Sequence, residues 1–149
     1  MLRMQICLFL FLCLLLGNAH GQERFEISGE VTLQYDGDVY ICLFTKEGYK
    51  SFDKELPSPP YLQIVKMNPD IKKSGKTSFS FGEMPKGTYG IVAFQDTVKN
   101  GKFDWSAWTG TTDEPFGCYR ALPVEVSVPN WDSIKFELNE NMKGIEINM

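Results

Sequence analysis

Histidine is almost absent from this 149-residue sequence, in which only His20 occurs. That residue lies at the end of an N-terminal leader, so the body of the protein beyond the leader contains no histidine. Catalysis by a histidine general base and zinc binding through histidine are therefore excluded.

Basic residues are also scarce and scattered. Without the leader, 14 Lys and Arg (15 less Arg3) stand against 19 Asp and Glu, which gives a net charge of −5. The densest basic stretch is KKSGK, Lys72 to Lys76, which is typical of a solvated turn. Because phosphate neutralisation supplies most of the affinity for nucleic acids, we expect no nucleic-acid partner.

Long apolar runs are confined to the N-terminus. Arg3 precedes the run Ile6–Leu16, and the small residues Ala19 and Gly21 follow it. This layout is typical of a secretory signal peptide, and the run is shorter than the roughly 20 residues that span a bilayer. We expect residues 1–21 to be removed near Ala19 or Gly21, which leaves an exported protein, periplasmic or extracellular, without a transmembrane span. An uncleaved anchor is the alternative.

Cysteine is rare once the leader is removed. Cys7 and Cys13 belong to the leader, so only Cys42 and Cys118 remain. An oxidising compartment permits a disulfide between these two cysteines. Cys42 lies in an apolar run, however, and a buried free thiol is the alternative.

Helical periodicity is nearly absent from residues 22–149, which are long enough for one domain. Short alternating or apolar runs predict strands instead, for example Arg24–Tyr35, a two-sided central strand at Val39–Thr45, and Thr88–Asp96. Further strands are expected at Ala121–Val128 and Trp131–Asn139. The pattern predicts one all-β domain, an antiparallel β-sandwich of about 7–8 strands.

Turn residues separate these runs. Asp36-Gly37-Asp38 predicts a hairpin between the first two strands, and Gly29 predicts a bulge within the first. Asn68-Pro69-Asp70 and the KSGK segment predict further turns.

The segment FQDTVKNGKFD, Phe94 to Asp104, has two interpretations. A calcium loop needs oxygen ligands at positions 1, 3, 5 and 12 and Gly at position 6. Counted from Asp96, Asn100 is at position 5 and Asp104 at position 9, but Val98 at position 3 and Ala107 at position 12 lack ligand oxygens. An EF-hand is excluded, whereas a looser calcium site at Asp96, Asn100 and Asp104 stays open.

The other interpretation of this segment is a β-hairpin. Asn100-Gly101 suits a type I′ turn, in which both central residues need a positive φ. That turn would place Val98 opposite Phe103 in a ladder.

The region after this segment holds a second candidate site. Trp105 and Trp108 could stack on sugar rings, with Asp113 and Glu114 as polar neighbours. The alternative is that both tryptophans cap the core. A hydrolase with a carboxylate pair among Asp104, Asp113 and Glu114 is a third hypothesis.

Three segments resemble a family of exported bacterial proteins known as domain of unknown function 2141. They are Met84–Tyr89 (MPKGTY), Phe94–Asp96 (FQD) and Asn100–Asp104 (NGKFD). Gln95 stands where the family usually has His, and Val98 where it often has an acidic residue or Asn. The resemblance implies a transthyretin-like or prealbumin-like β-sandwich and no established activity.

These observations predict an exported binding or interaction module rather than an enzyme. Its partner would be a protein or a glycan of the cell envelope. A carbohydrate-binding module and a calcium-stabilised envelope protein are the alternatives.

Overall fold

The computed structural model describes residues 22–52, 55–106, 111–120 and 129–149, apart from the side chain of Trp105. These residues form ten strands and three short helices: β1 (Arg24–Thr32), β2 (Asp38–Phe44), α1 (Lys46–Tyr49), β3 (Leu62–Val65), α2 (Pro69–Ser74), β4 (Lys76–Pro85), β5 (Gly87–Asp96), β6 (Trp105–Ser106), β7 (Thr111–Thr112), β8 (Phe116–Cys118), α3 (Trp131–Ile134), β9 (Phe136–Leu138) and β10 (Met142–Asn148). The prediction of a mainly β protein is confirmed. The leader and the strand expected at Ala121–Val128 lie outside the described residues.

The strands form two main sheets. One has the order β10-β1-β4, and the other has the order β3-β2-β5-β8, with β9 pairing with the start of β5. Strands β6 and β7 pair only with each other in the described part of the chain. All described pairs are antiparallel except β1 with β10, so the prediction of purely antiparallel strands is wrong there. These two strands come from opposite ends of the described chain, and no tight hairpin has to join them.

Side chains from both main sheets share one hydrophobic core. Ile27, Phe79 and Ile145 from the smaller sheet pack in the same cluster as Ile41 and Ile91 from the larger one. Each of these five side chains is at most 4% exposed. Burying a side chain of this size contributes about 1.5–3 kcal/mol, so the contact between the sheets holds the fold together.

The larger sheet is covered on its other face as well. Phe44 of β2 and Phe94 of β5 belong to a second buried cluster, which includes Tyr49 of α1, Phe103 and Ile134 of α3. Strands β2 and β5 are therefore buried on both faces, which explains their nearly unbroken apolar sequences. The prediction of a two-sided central strand is confirmed for β2.

The predicted hairpin at Asp36–Asp38 is not formed. Strand β1 pairs with β4 and β10, whereas β2 pairs with β3 and β5, so residues 33–37 cross from one sheet to the other. The turn residues there lead the chain from one sheet to the other and do not reverse it within a single sheet.

The two turns expected around residues 68–76 are the ends of one helix, α2. The Asn68 side chain accepts hydrogen bonds from the backbone N–H groups of Asp70 and Ile71, at 3.0 and 2.9 Å. Pro69 follows at the first helical position, and Gly75 ends the helix with a φ of 66°. Like the other helices of the described residues, α2 is too short to cross a membrane.

Gly29 is explained by a close approach of backbones. A β-carbon there would collide with the backbone carbonyl group of Ile145 in β10. The pairing register with β10 is irregular between Ile27 and Gly29, next to the predicted bulge. Glycine at this position lets the parallel strand come close to β1.

Candidate functional site

The loop after β5 is organised by Asp96, the last residue of the strand. Its side chain is buried, and its two carboxylate oxygens accept hydrogen bonds from the backbone N–H groups of Asn100 (3.1 Å) and Gly101 (2.7 Å). The carboxylate thus replaces the strand partner that these two N–H groups lack. The loop closes around a charged group at the end of the larger sheet.

The expected type I′ hairpin is therefore wrong. Positive φ angles occur at Lys99 (63°) and Gly101 (74°), whereas that turn needs them at Asn100 and Gly101. Val98 is 61% exposed and Phe103 is 6% exposed, so the two side chains are not a cross-strand pair. Hydrogen bonds to the Asp96 carboxylate favour a closed loop over a ladder.

Asn100, Asp104 and Glu114 extend this arrangement. The Asn100 amide donates to the Asp104 carboxylate at 2.8 Å, and the Asn100 amide oxygen accepts from the N–H of Lys102 at 2.9 Å. The N–H of Asp104 donates to Oε2 of Glu114 at 2.9 Å. The structure therefore brings together all three predicted metal ligands and one residue predicted for a separate sugar site.

Glu114 is the unusual member of this group. Its side chain is 2% exposed, and its Oε1 is buried without a hydrogen-bond partner among the described residues. Burial raises the pKa of this carboxyl group, and the nearby charges of Asp104 and Asp96 raise it further. The N–H groups of Asp104 and Val98 oppose part of this effect by favouring the ionised form.

The remaining residues of the expected sugar site are only partly described by the structure. Asp113 is exposed, whereas Glu114 points into the protein. Trp105 pairs through its backbone with Thr112, but its side chain and the whole of Trp108 lie outside the described residues. Stacking of these tryptophans on sugars therefore stays a prediction.

Of the two alternatives for Cys42 and Cys118, the structure shows the buried free thiols and no disulfide between them. Cys42 of β2 and Cys118 of β8 both pair with Val92, from opposite sides of β5. Residues two strands apart are separated by about 9–10 Å, which exceeds the limit of roughly 7 Å for bridged cysteines. Both side chains belong to the second buried cluster, where they pack as small apolar groups.

A cleft lies beside the loop. The sequence pattern does not predict it, because Asp36 and Asp38 are typical turn residues there. The cleft has a volume of about 470 Å³, and its lining comprises Asp36, Gly37, Asp38, Tyr40, Lys66, Met67, Asp96, Lys99 and Gly101. Asp38 pairs with Asp96 across β2 and β5, which sets two carboxylate residues side by side. The pairing of β2 with β5 brings these two acids together, and no local sequence motif predicts that pairing.

Most of the acids of the cleft have internal partners. Lys66 Nζ lies 2.6 Å from the Asp38 carboxylate, and the N–H of Met67 donates to the same group at 3.0 Å. These two hydrogen bonds lower the pKa of Asp38, with the Lys66 bond the larger cause. Lys72 is likewise 2.6 Å from Asp36 and lowers its pKa. The cleft thus offers oriented charges of both signs.

Exposed apolar side chains flank this charged cleft. In the described part of the chain, the large hydrophobic residues that are exposed are Tyr35 (63%), Ile64 (43%) and Val98 (61%). Tyr35 and Val98 are chain neighbours of cleft-lining residues, and Ile64 pairs with Tyr40. Each of the three is thus linked to a cleft-lining residue by chain adjacency or by strand pairing.

Residues 30–146 match the model of a bacterial family described as "Uncharacterized protein conserved in bacteria (DUF2141)". The chain belongs to this family. The match includes the loop, Glu114 and the whole cleft, and the family description names no activity. No curated protein and no solved structure matches the chain.

Gln95 takes the position where the resemblance to DUF2141 places a histidine. Its side chain is fully buried; the amide donates to the carbonyl of Tyr35 at 2.7 Å and accepts from the N–H groups of Gln34 and Tyr35 at 2.9 and 3.1 Å. Successive strand residues point to opposite faces, so Gln95 faces away from the Asp96 carboxylate. It holds the connection from β1 to β2 in place and does not take part in the loop hydrogen bonds described above.

Proposed function

We propose that the protein is an exported β-sandwich module that binds a protein partner through the cleft beside β2 and β5. The observation that carries this proposal is that Tyr35, Ile64 and Val98, the exposed large apolar residues of the described chain, are each a chain neighbour or a strand partner of a residue that lines the charged cleft. Exposed apolar side chains gathered beside oriented charges are typical of protein interaction sites.

Two features support the exported, sandwich-like part of the proposal. Residues 1–21 have the layout of a cleaved signal peptide. The two main sheets share one core, as in a β-sandwich of transthyretin-like type. Removal of the leader would place the new N-terminus a few residues before β1.

The internal bonds of the acids support binding over catalysis. The carboxylates of Asp36 and Asp38 have lysine partners at 2.6 Å, and Asp96 is bonded to two loop N–H groups. Groups held in this way recognise shape and charge, whereas a general acid or base needs a free oxygen directed at the substrate. We therefore propose a binding module and not an enzyme.

A protein partner is favoured over a glycan for a related reason. The glycan hypothesis uses Trp105, Trp108, Asp113 and Glu114, and in the structure Glu114 is buried against the loop. The cleft instead combines the Lys66–Asp38 ion pair with the side chains of Tyr40 and Met67. A polypeptide surface can complement both kinds of group at once.

Site-directed photocrosslinking in the native bacterial cell tests this proposal. A benzophenone amino acid is placed at Val98 or Ile64, and at the exposed Glu140 between β9 and β10 as a matched control. We expect a discrete protein adduct at the two cleft positions and none at Glu140. Adducts that are absent, or that form equally at all three positions, would contradict the proposed site.

A second arm tests the glycan alternative. The purified protein is sedimented with insoluble cell-wall polysaccharide, and the bound fraction is compared for wild-type, Trp105→Ala and Trp108→Ala proteins. Sedimentation that depends on the tryptophans would replace the protein-binding proposal with carbohydrate binding.

Mass analysis of the exported protein tests the removal of the leader, and we expect the new N-terminus after Ala19 or Gly21.

A further inference from the structure

The loop Asp96–Asp104 matches the plan of a 12-residue calcium loop at positions 1, 5, 6, 7 and 9, but not at position 3, where Val98 stands. Asp96 takes position 1, Asn100 position 5 and Asp104 position 9, and position 7, which contributes a backbone carbonyl, is Lys102. Gly101 takes position 6, where such loops need Gly for a sharp turn, and its φ is 74°. These are the oxygen donors that a hard divalent cation prefers.

The plan lacks its most important acidic ligand. Position 12 normally supplies a bidentate Glu, and this chain has Ala107 there. Glu114, between β7 and β8, reaches the loop from outside that plan. Its Oε2 accepts the hydrogen bond from the N–H of Asp104, so its carboxyl group lies directly against the loop.

An independent feature of Glu114 indicates a missing ligand. The side chain is 98% buried, since 2% of it is exposed, yet Oε1 has no hydrogen-bond partner among the described residues. A buried carboxylate oxygen without a partner is costly, and a bound ion is one of the few groups that remove the cost. The neighbouring charges of Asp96 and Asp104 make a positive ion the matching partner.

We propose that the loop Asp96–Asp104 and Glu114 together form a Ca²⁺ site, in which Glu114 supplies the carboxylate that position 12 lacks. Asp96, Asn100, Asp104 and the carbonyl of Lys102 provide the other protein ligands. The site stays short of a full ligand set because Val98 occupies position 3.

Acidic side chains alone do not complete the site. In the described part of the chain, no three acidic, cysteine or histidine side chains lie close enough together to hold a metal unaided. Asn100 and a backbone carbonyl must therefore contribute beside the carboxylates. Asp96 can still serve, because each carboxylate oxygen has a second lone pair beside the one that accepts an N–H.

The expected affinity is low. Calcium affinity depends on the number of charged ligands and on the rigidity of the site, and extracellular modules bind with dissociation constants on the order of 10⁻⁴–10⁻³ M. A site with three carboxylates, one amide and no ligand at position 3 belongs in that range. Calcium binding at this site does not depend on the proposed protein binding. The two sites are neighbours, because Asp96, Lys99 and Gly101 of the loop also line the cleft.

Calcium titration of the purified exported protein tests the proposal without any partner present. Calorimetry with Ca²⁺ and tyrosine- or tryptophan-sensitised Tb³⁺ luminescence are measured for wild-type, Glu114→Gln and Asp113→Asn proteins. Asp113→Asn is the matched control, because it removes the same charge from an exposed neighbour. We expect wild-type binding near 1 mM, a loss of about tenfold or more for Glu114→Gln, and a change of about twofold or less for Asp113→Asn.

A gain-of-function variant keeps the test decisive if Glu114→Gln folds poorly. Val98 is exposed, so Val98→Asp adds the missing position 3 ligand at little structural cost, and we expect tighter Ca²⁺ binding by about tenfold. No binding by wild-type protein at 10 mM Ca²⁺, at roughly ten times the expected dissociation constant, would overturn the site. Wild-type binding unchanged by both Glu114→Gln and Val98→Asp would overturn the ligand assignment, and neither result bears on the crosslinking test.

Discussion

The backbone N–H of Asp104 donates to Oε2 of Glu114 across a gap of ten residues, while Oε1 of the same carboxyl group has no partner among the described residues. One hydrogen bond therefore ties the loop after β5 to the turn before β8. The bond favours the ionised carboxylate, but burial and the charges of Asp104 and Asp96 outweigh it and raise the pKa. The position that the hydrogen bond gives Glu114 is therefore one in which burial and neighbouring negative charges disfavour the ionised carboxylate.

The first prediction concerns the pH dependence of stability in EDTA. A raised folded-state pKa means that the folded protein binds the proton more tightly than the unfolded chain does. The stabilising contribution of Glu114 is therefore complete below the ordinary pKa of 4.5 and is lost as the pH rises through the folded-state value. We expect Glu114→Gln, which has no charge to lose, to gain stability relative to wild-type protein over that window.

Urea denaturation from pH 4 to pH 8 measures this difference, with Asp113→Asn expected to follow the wild-type profile. Adding several millimolar Ca²⁺ at pH 7 should then favour the wild-type protein over Glu114→Gln, because only the wild-type protein keeps the Glu114 carboxylate as a ligand. A wild-type advantage that grows with pH in EDTA would show that the carboxylate is stabilising without an ion.

How far the sequence predicts this molecule depends on the range of the interactions involved. Strands β2 and β5 follow from local composition, because a strand buried on both faces has to be apolar throughout. Helix α2 could also have been found from Asn68, Pro69 and Gly75, which are ordinary capping signals at suitable spacing. These features need no knowledge of the rest of the chain.

The features that were missed depend on contacts between distant segments. Asp38 reaches Asp96 only through the pairing of β2 with β5, and Glu114 reaches Asp104 only because β7 and β8 return to the loop. The type I′ prediction used only Asn100 and Gly101, whereas the Asp96 carboxylate, four and five residues upstream, sets the loop conformation. Local sequence patterns predict turn types from the turn residues alone, and they do not include hydrogen bonds from a side chain outside the turn.

The second prediction concerns the two thiols. Cys42 and Cys118 are 1% and 9% exposed, and burial raises the pKa of Cys118 to about 12 and that of Cys42 further. Since the thiolate is the reactive form, we expect a thiol reagent to modify neither residue rapidly at pH 8. In 6 M guanidinium, two thiols should react at once. A mass 2 Da below that of the reduced chain in the exported protein would show that these strands can move to form the bond.

The third prediction concerns the strained loop residue Lys99. Its φ of 63° lies in the left-handed region, which costs a residue with a β-carbon about 1–2 kcal/mol. Lys99→Gly should remove that strain, and after the entropy cost of glycine we expect a gain of about 0.5–1 kcal/mol in the free energy of unfolding. Lys102→Gly is the control, because Lys102 in the same loop has no positive φ, and it should be neutral or destabilising. Equal effects of the two variants would contradict the loop conformation.

The last prediction concerns the contact between the first and last described strands. A β-carbon at Gly29 would collide with the backbone of Ile145, and backbone cannot move aside as the end of a side chain can. Gly29→Ala should therefore cost about 1–3 kcal/mol, typical of overpacking, or more if β10 separates from β1. Gly82→Ala in β4 is the matched control, because a β-carbon there would meet nothing within 4 Å. It should change stability by less than about 1 kcal/mol. Urea midpoints at constant slope measure both variants, and similar midpoints would mean that the parallel β1–β10 pair is not formed as described.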